Sequence, residues 1–208
     1  MAAAPDFSSE LRLRLRDGST VLVRPIRTDD KQAIESAFAR LSEQSRYQRF
    51  LTPISELSAS QLRYLTEVDH HDHEALVAFD AEGEEGVAVA RFVRLADGHS
   101  AEAAVTVVDD WQGKGLGTAI CNLLAERARE EGIDRFTALL LASNEQMHEV
   151  LASLGPAKVL SRVAGTVEVE VAIPEAGIGD HMAGVLRVVA GGTVELATPP
   201  WGIRRADS

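Results

Sequence analysis

The chain has 208 residues and carries 21 Lys and Arg against 32 Asp and Glu, a net charge of -11; that length suits one domain with elaborations, and the acidity disfavours nonspecific nucleic-acid binding and favours basic partners. Its one cysteine, Cys121, excludes an internal disulfide framework, no Cys and His set has the spacing of a structural zinc site, and no apolar run approaches the ~20 residues that span a bilayer. The start, MAAAPDFSSE, lacks the basic and apolar regions of a signal peptide, so the expectation is a soluble protein in a reducing, cytoplasmic setting that binds neither membrane nor nucleic acid.

Residues 1–10 read as a tail. Leu11 to Arg16 alternates Leu and Arg, Asp17-Gly18 supplies a turn, and Val21 to Ile26 resumes the apolar run, a hairpin pattern. Thr28 is placed to cap a helix on which Ile34, Ala37, Phe38 and Leu41 share a face, and a second helical stretch follows through Arg46 to Phe50. Ser58 to Gln61 matches a capping box for a short helix, Gln61 to Val68. Ala75 to Phe79, Gly86 to Leu95 and Ala101 to Asp109 are apolar or alternating and are separated by turn material, as consecutive antiparallel strands are. A glycine stretch then opens a helix to about Glu131, with Gly132 as its stop; a strand at Phe136 to Leu141, a helix from Asn144 to Leu154 and a strand pair at Val159 to Arg162 and Thr166 to Ile173 complete the order. An antiparallel sheet with one crossover unit makes residues 11–174 a single α+β domain. Beyond Pro174 the composition shifts; Ile178, Met182, Val185, Leu186 and Val189 fit one helical face, and residues 175–208 read as a C-terminal elaboration and tail.

The glycine stretch, Gln112-Gly113-Lys114-Gly115-Leu116-Gly117-Thr118, is a strand-to-helix turn whose N–H groups suit anionic oxygens. It lacks the spacing of a Walker loop and of a dinucleotide fingerprint, and the strands before it are antiparallel in pattern. Gln112-x-x-Gly115-x-Gly117 after a strand and before a helix resembles the pyrophosphate motif of the GNAT superfamily of acyl-CoA N-acyltransferases. Asn144-x-x-Met147 followed by Leu154-Gly155 is similar to the same superfamily's fourth-helix signature, with Pro156 standing where an aromatic is usual. SRYQRFL at Ser45 to Leu51, LTEVDHHDHEALVA at Leu65 to Ala78 and AEAAVTVVDDWQGKGLG at Ala101 to Gly117 resemble the acetyltransferase domain of bacterial protein lysine acetyltransferases that act on acyl-CoA synthetases. The nucleotide-sensing and CoA-ligase-like domains that accompany that domain in some relatives have no counterpart in these residues.

The resemblance implies a GNAT fold, a mixed, mostly antiparallel central sheet flanked by helices, and acetyl-CoA as the donor, with no metal. It places the seven residues from Gln112 to Thr118 around the pyrophosphate, Asn144 and Met147 beside the CoA arm, and the backbone of Val107 and Val108 against the pantetheine. Lys114 either adds positive charge there or serves solubility. Acyl transfer needs a neutral amine, and an unperturbed lysine, with a pKa of about 10.4, is protonated at neutral pH. By resemblance Glu102 is the general base; a strand-end glutamate facing solvent is the alternative. No tyrosine stands near the fourth helix to protonate the departing thiolate, Tyr47 and Tyr64 both being far upstream, so water or unaided departure is the default.

Cys121 reads as a buried small hydrophobe rather than a nucleophile. In Asp69-His70-His71-Asp72-His73-Glu74 only His71 and His73 share a face of an extended run, and a polar loop is a better account than a metal site. Arg46, Tyr47, Arg49 and Phe50 fit either an acceptor cleft or ordinary packing. The resulting expectation is acetyl transfer to a primary amine, a protein lysine such as one on an acyl-CoA synthetase being favoured over a small-molecule amine. A non-catalytic acyl-CoA sensor is the rival from another class.

Overall fold

The structure is a computed structural model and describes residues 10–81 and 85–174. The expected tail at 1–10 therefore falls almost wholly outside the described residues, and the elaboration at 175–208, with its helix around Ile178 to Val189, lies outside them too.

The N-terminal hairpin is formed by β1 (Leu11–Arg14) and β2 (Thr20–Pro25). Three short helices follow, α1 (Lys31–Ala39), α2 (Glu43–Phe50) and α3 (Ala59–Thr66). The α3 capping box forms as its sequence predicts, Ser58 Oγ accepting from the Gln61 N–H while Gln61 Oε1 accepts from the Ser58 N–H, and this starts the helix two residues earlier than expected. Thr28 is a correction. No side-chain cap opens α1; instead Thr28–Asp30 forms a single helical turn, and the Asp30 carboxylate accepts from the Arg27 N–H at 2.7 Å and from both arms of Arg24 at 2.7 and 2.8 Å.

Three antiparallel strands come next, β3 (His73–Asp80), β4 (Gly86–Arg94) and β5 (Ser100–Val107). Then α4 (Leu116–Glu130), β6 (Arg135–Leu141), α5 (Glu145–Leu154), β7 (Ala157–Val163) and β8 (Thr166–Ala172) complete one eight-stranded sheet in the order β1-β2-β3-β4-β5-β6-β8-β7. The pairing is antiparallel throughout except between β5 and β6. The fold is α+β, as the order of elements implies.

Alternation along the strands divides the core between the two faces of the sheet. Leu76, Ala78, Ala90 and Phe92 face α4, which buries Ile120, Leu123 and Leu124 against them. Ala75 and Val77 point the other way, toward Ile34 and Phe38 of α1. Cys121 is 5% exposed among apolar neighbours, and burial pushes its thiol up to about 12, which leaves it un-ionised and suits packing rather than nucleophilic work. The histidine run is absorbed structurally. The buried Glu74 carboxylate accepts from Arg127 Nε at 3.0 Å and bonds His70 Nδ1 at 2.7 Å, while His71 bonds Glu131. These contacts fasten the C-terminal half of α4 to the start of β3.

After Gly155 the chain turns straight into β7. A Cβ at that glycine would lie 2.2 Å from the carbonyl oxygen of Ala172 and 3.2 Å from the Pro174 ring, so β8 and α5 meet only because no side chain is there. Gly155→Ala is expected to cost about 3 kcal/mol or more in urea unfolding, since the obstructing atom is backbone. A loss below 1 kcal/mol would show that β8 shifts freely.

Burial pushes the Asp30 carboxyl up, and the Arg24 fork with the Arg27 N–H outweighs it and holds the group below its ordinary value. A carboxylate with a depressed pKa stabilises the fold above its unfolded-state pKa of about 3.9, and that contribution is lost as pH falls through the lower folded-state value. Asp30→Asn should therefore cost about 2–3 kcal/mol at pH 7, with the gap from wild type shrinking as pH falls below about 3.9. Urea titrations at several pH values read both.

Candidate active site

Parallel pairing between β5 and β6 lasts for three positions only, Ser100 with Arg135, Ala101 with Phe136 and Glu102 with Thr137. On their outer sides both strands stay paired, β5 with β4 from Ala101 to Val107 and β6 with β8 over its whole length. The sheet therefore forks beyond Glu102, and backbone groups on the inner edges of the fork are left seeking partners. A cleft fills the fork. Its walls are residues 102–107 of β5, residues 138–140 of β6, Ser45 and residues 48–51 of α2 and its end, and the starts of α4 and α5.

At the mouth, Asp109–Trp111 makes one helical turn and the glycine loop follows. Gly113 (φ 73°) and Gly115 (φ 88°) both adopt the left-handed conformation that favours glycine, and Gly115 is the residue before the first turn of α4. The first N–H groups of this 15-residue helix have no intrahelical partners, and Gln112, Gly113, Gly115, Gly117 and Thr118 all line the cleft around them. Anionic oxygens are what such an end binds. Gly117 is informative because its own fold does not demand glycine: a Cβ there would meet the methyls of Val107 and Val150 at 3.6 and 3.7 Å, ordinary contact. The space that Cβ would occupy borders the cleft.

Gln112 faces the cleft and also braces the corner. Its Nε2 lies 3.1 Å from the Val107 carbonyl oxygen, 3.2 Å from Ser45 Oγ and 3.3 Å from Asp109 Oδ1. Asp109 accepts from Ser45 Oγ at 2.6 Å and from the Ser42 N–H at 3.2 Å. Burial pushes the Asp109 carboxyl up, but these hydrogen bonds prevail and hold it below its ordinary value, so it stays ionised and ties α2 to the loop.

On α5, Asn144 is the N-cap, its side chain accepting from the Met147 N–H at 3.1 Å; both residues line the cleft. Three residues expected at the site stand apart from the cleft. The Val108 N–H donates to the Val87 carbonyl at 2.9 Å and its side chain is 2% exposed in the core on the α1 face, so that group is not free for a donor arm. Lys114 pairs with Asp17 at 3.2 Å and lies over the Trp111 ring. The Leu116 side chain is buried against α4's neighbours, leaving only its backbone at the loop.

Glu102 holds the last paired position before the fork, exposed at the inner end of the cleft. The alternation of β5 puts it with Ala104 and Thr106 on the α2 side of the sheet. Residues that the sequence pattern did not single out join it. Arg16, from the turn after β1, reaches the cleft beside the glycine loop, its N–H donating to the Lys114 carbonyl at 3.4 Å. Gln48 of α2 is another, and it faces the cleft next to Arg49 and Phe50, two of the four α2 residues whose pattern fitted either an acceptor cleft or packing. Arg16 sits in a Leu-Arg alternation that signals only a half-exposed strand, so nothing local marks it.

None of the described helices is long and apolar enough to cross a membrane. The chain matches the GNAT family of acetyltransferases over residues 37–155, more than half its length. Acetyltransferase PA5475 of Pseudomonas aeruginosa is 34% identical over 143 residues, 68% of this chain and 77% of the relative. Acetyltransferase Pat of Mycolicibacterium smegmatis is 32% identical over 171 residues, covering 81% of this chain and half (50%) of that longer protein. The crystal structure of the GNAT domain of S. lividans PAT superposes with a TM-score of 0.73 at 35% identity, covering 78% of this chain and 96% of that domain. The forked sheet, the glycine loop at a helix start and these relatives agree: the chain belongs to the GNAT family and is an acetyl-CoA-dependent acetyltransferase.

Proposed function

We propose that the enzyme moves the acetyl group of acetyl-CoA to the side-chain amine of a lysine in a partner protein, with Glu102 as the general base. The observation that carries this is the position of Glu102 at the apex of the fork, where the pairing of β5 with β6 ends beside a carboxylate. The loop at Gln112, Gly113, Gly115, Gly117 and Thr118 would hold the pyrophosphate, with Arg16 adding positive charge. Asn144 and Met147 border the opposite wall. The inner edge of β5, left without a strand partner beyond Glu102, would offer backbone N–H groups, that of Val107 among them, to an extended arm and to the thioester oxygen.

The step follows from this arrangement. A lysine ammonium gives up a proton to Glu102, directly or through water, and the neutral amine attacks the thioester carbonyl. The carbon–nitrogen bond forms, the attacking nitrogen releases its second proton to water, the carbon–sulfur bond breaks with its electron pair on sulfur, and the thiolate takes a proton from water. The side chain of Glu102 is exposed and free of hydrogen bonds among the described residues, so an incoming amine meets it directly. Tyr47 and Tyr64 do not line the cleft, so neither is placed to serve as the acid.

A protein acceptor is favoured by the resemblance to protein lysine acetyltransferases, among which Pat is a named relative, and by the net charge of -11, which suits a basic target. An acyl-CoA synthetase is the first acceptor to try, and a cytoplasmic setting goes with it. A small-molecule amine is the second reading. A sensor that binds the donor without chemistry would leave the carboxylate at the apex idle.

CoA release and mass spectrometry of the acceptor test the assignment. Glu102→Gln should lower kcat about 10²–10³-fold at pH 7.5 with little change in acetyl-CoA affinity. Unaltered kcat would remove Glu102 from the chemistry, and binding without turnover on every amine would favour the sensor. Gly117→Ala should raise stability by up to about 1 kcal/mol, as Gly to Ala does in a helix, yet weaken acetyl-CoA binding about tenfold or more by calorimetry. Unchanged binding would mean the donor does not approach that turn.

A further inference from the structure

Beneath α2 and α3 two guanidinium groups stand close to each other, neither in an ion pair among the described residues, with Glu102 the one carboxylate whose charge is felt at Arg49. Arg91 of β4 stands opposite Ala104 of β5 and is 4% exposed. Its Nη2 donates to the Leu65 carbonyl at 2.8 Å, but Nε and Nη1 are buried with no hydrogen-bond partner among the described residues. Its guanidinium carbon also lies 5.5 Å from the centre of the Tyr64 ring. Arg49 of α2 is half-buried, lies over the Phe50 ring and forms no ion pair among the described residues. Burial, then Arg49, pulls Arg91 down to about 10, and burial lowers Arg49 too, against the opposing charge of Glu102. Both groups stay charged at neutral pH, and each has donors to spare.

A buried cation with unmade hydrogen bonds is costly unless something completes it. The two arginines line a cavity between the sheet and α1 to α3 whose other walls include Phe38, Leu65 and Val89. Arg49, Ala104 and Thr106 line both this cavity and the cleft, so the two adjoin at the strand that carries Glu102. The walls suit methylene groups and the end suits a carboxylate. Arg91 is too deeply buried for a macromolecular surface to reach.

We propose that Arg49 and Arg91 receive the distal carboxylate of a short dicarboxylic acyl group on CoA, so that the enzyme transfers a malonyl- or succinyl-type group as well as acetyl. This rests on the reading above, in which the thioester lies along β5. The reaction balances as acetyl transfer does: the amine nitrogen bonds the thioester carbonyl, the carbon–sulfur bond breaks with its electrons on sulfur, and the amine proton passes to Glu102 and the medium. The products are an amide that keeps its free carboxylate and CoA thiol; nothing is oxidised or reduced.

Calorimetric binding of acetyl-, butyryl- and succinyl-CoA, followed by transfer to one lysine-bearing acceptor, tests it. Succinyl-CoA should bind at least as tightly as butyryl-CoA, its neutral counterpart of similar length. Arg91→Met should lower the succinyl-to-butyryl preference about tenfold or more, with partial rescue by Arg91→Lys. Arg49→Met, at a less buried position, reads the same preference if the Arg91 variants fail to fold. A preference unmoved by either Arg49→Met or Arg91→Met, or wild-type rejection of succinyl-CoA alongside normal acetyl-CoA binding, overturns this proposal alone. Absence of acetyl-CoA binding overturns the donor reading and this proposal together. Arg91-dependent acetylation of free glutamate would put the carboxylate on the acceptor and likewise overturn it.

Discussion

Three residue pairs hold the parallel junction of β5 and β6, and the working parts of the molecule depend on the pairing stopping there. Each strand is committed on its outer side, β5 to β4 and β6 to β8, so neither can rotate to close the gap without breaking a longer ladder. Twist carries the two half-sheets apart beyond Glu102. One break thus supplies an opening into a protein interior, two unpaired strand edges and a carboxylate at the apex. A fully zipped sheet would have none of these.

The helices convert that opening into a site. α4 is asymmetric in its duties: its C-terminal half is locked by Arg127 to Glu74 and to the His70 carbonyl, while its N-terminal turn is left bare behind Gly115. Rigidity at one end positions open donors at the other, as a preorganised anion site requires. α2 is tied to the same corner by Ser45, Asp109 and Gln112, so the roof over the cleft and the loop at its mouth share one hydrogen-bonded knot.

Much of this was legible in local pattern. The Ser58 capping box, the Gly115 turn, the helix opening at Asn144 and the alternation around Glu102 are short-range signals, and the structure forms each of them. What stayed hidden depends on contacts distant in sequence. Thr28 has the chemistry of a cap, but Asp30 wins the backbone because Arg24, six residues earlier, completes its hydrogen bonds. Val108 is a strand-end valine like Val107 until its N–H is seen to bond Val87. Arg91 lies in the run VAVARFVRL, where an arginine among alternating apolar residues signals a solvent-facing position; only the packing of α2 and α3 over that face shows it to be interior.

The contact between the hairpin turn and the glycine loop bears on how the cleft is entered. Asp17 pairs with Lys114, and the Arg16 N–H bonds the Lys114 carbonyl, so the turn between β1 and β2 is latched to the loop at the mouth. That latch is electrostatic and partly open to water, hence weakened by added ions. The threshold of the cleft is thus held in part by a salt-sensitive contact, whereas the strand junction at Glu102 is held by backbone pairing.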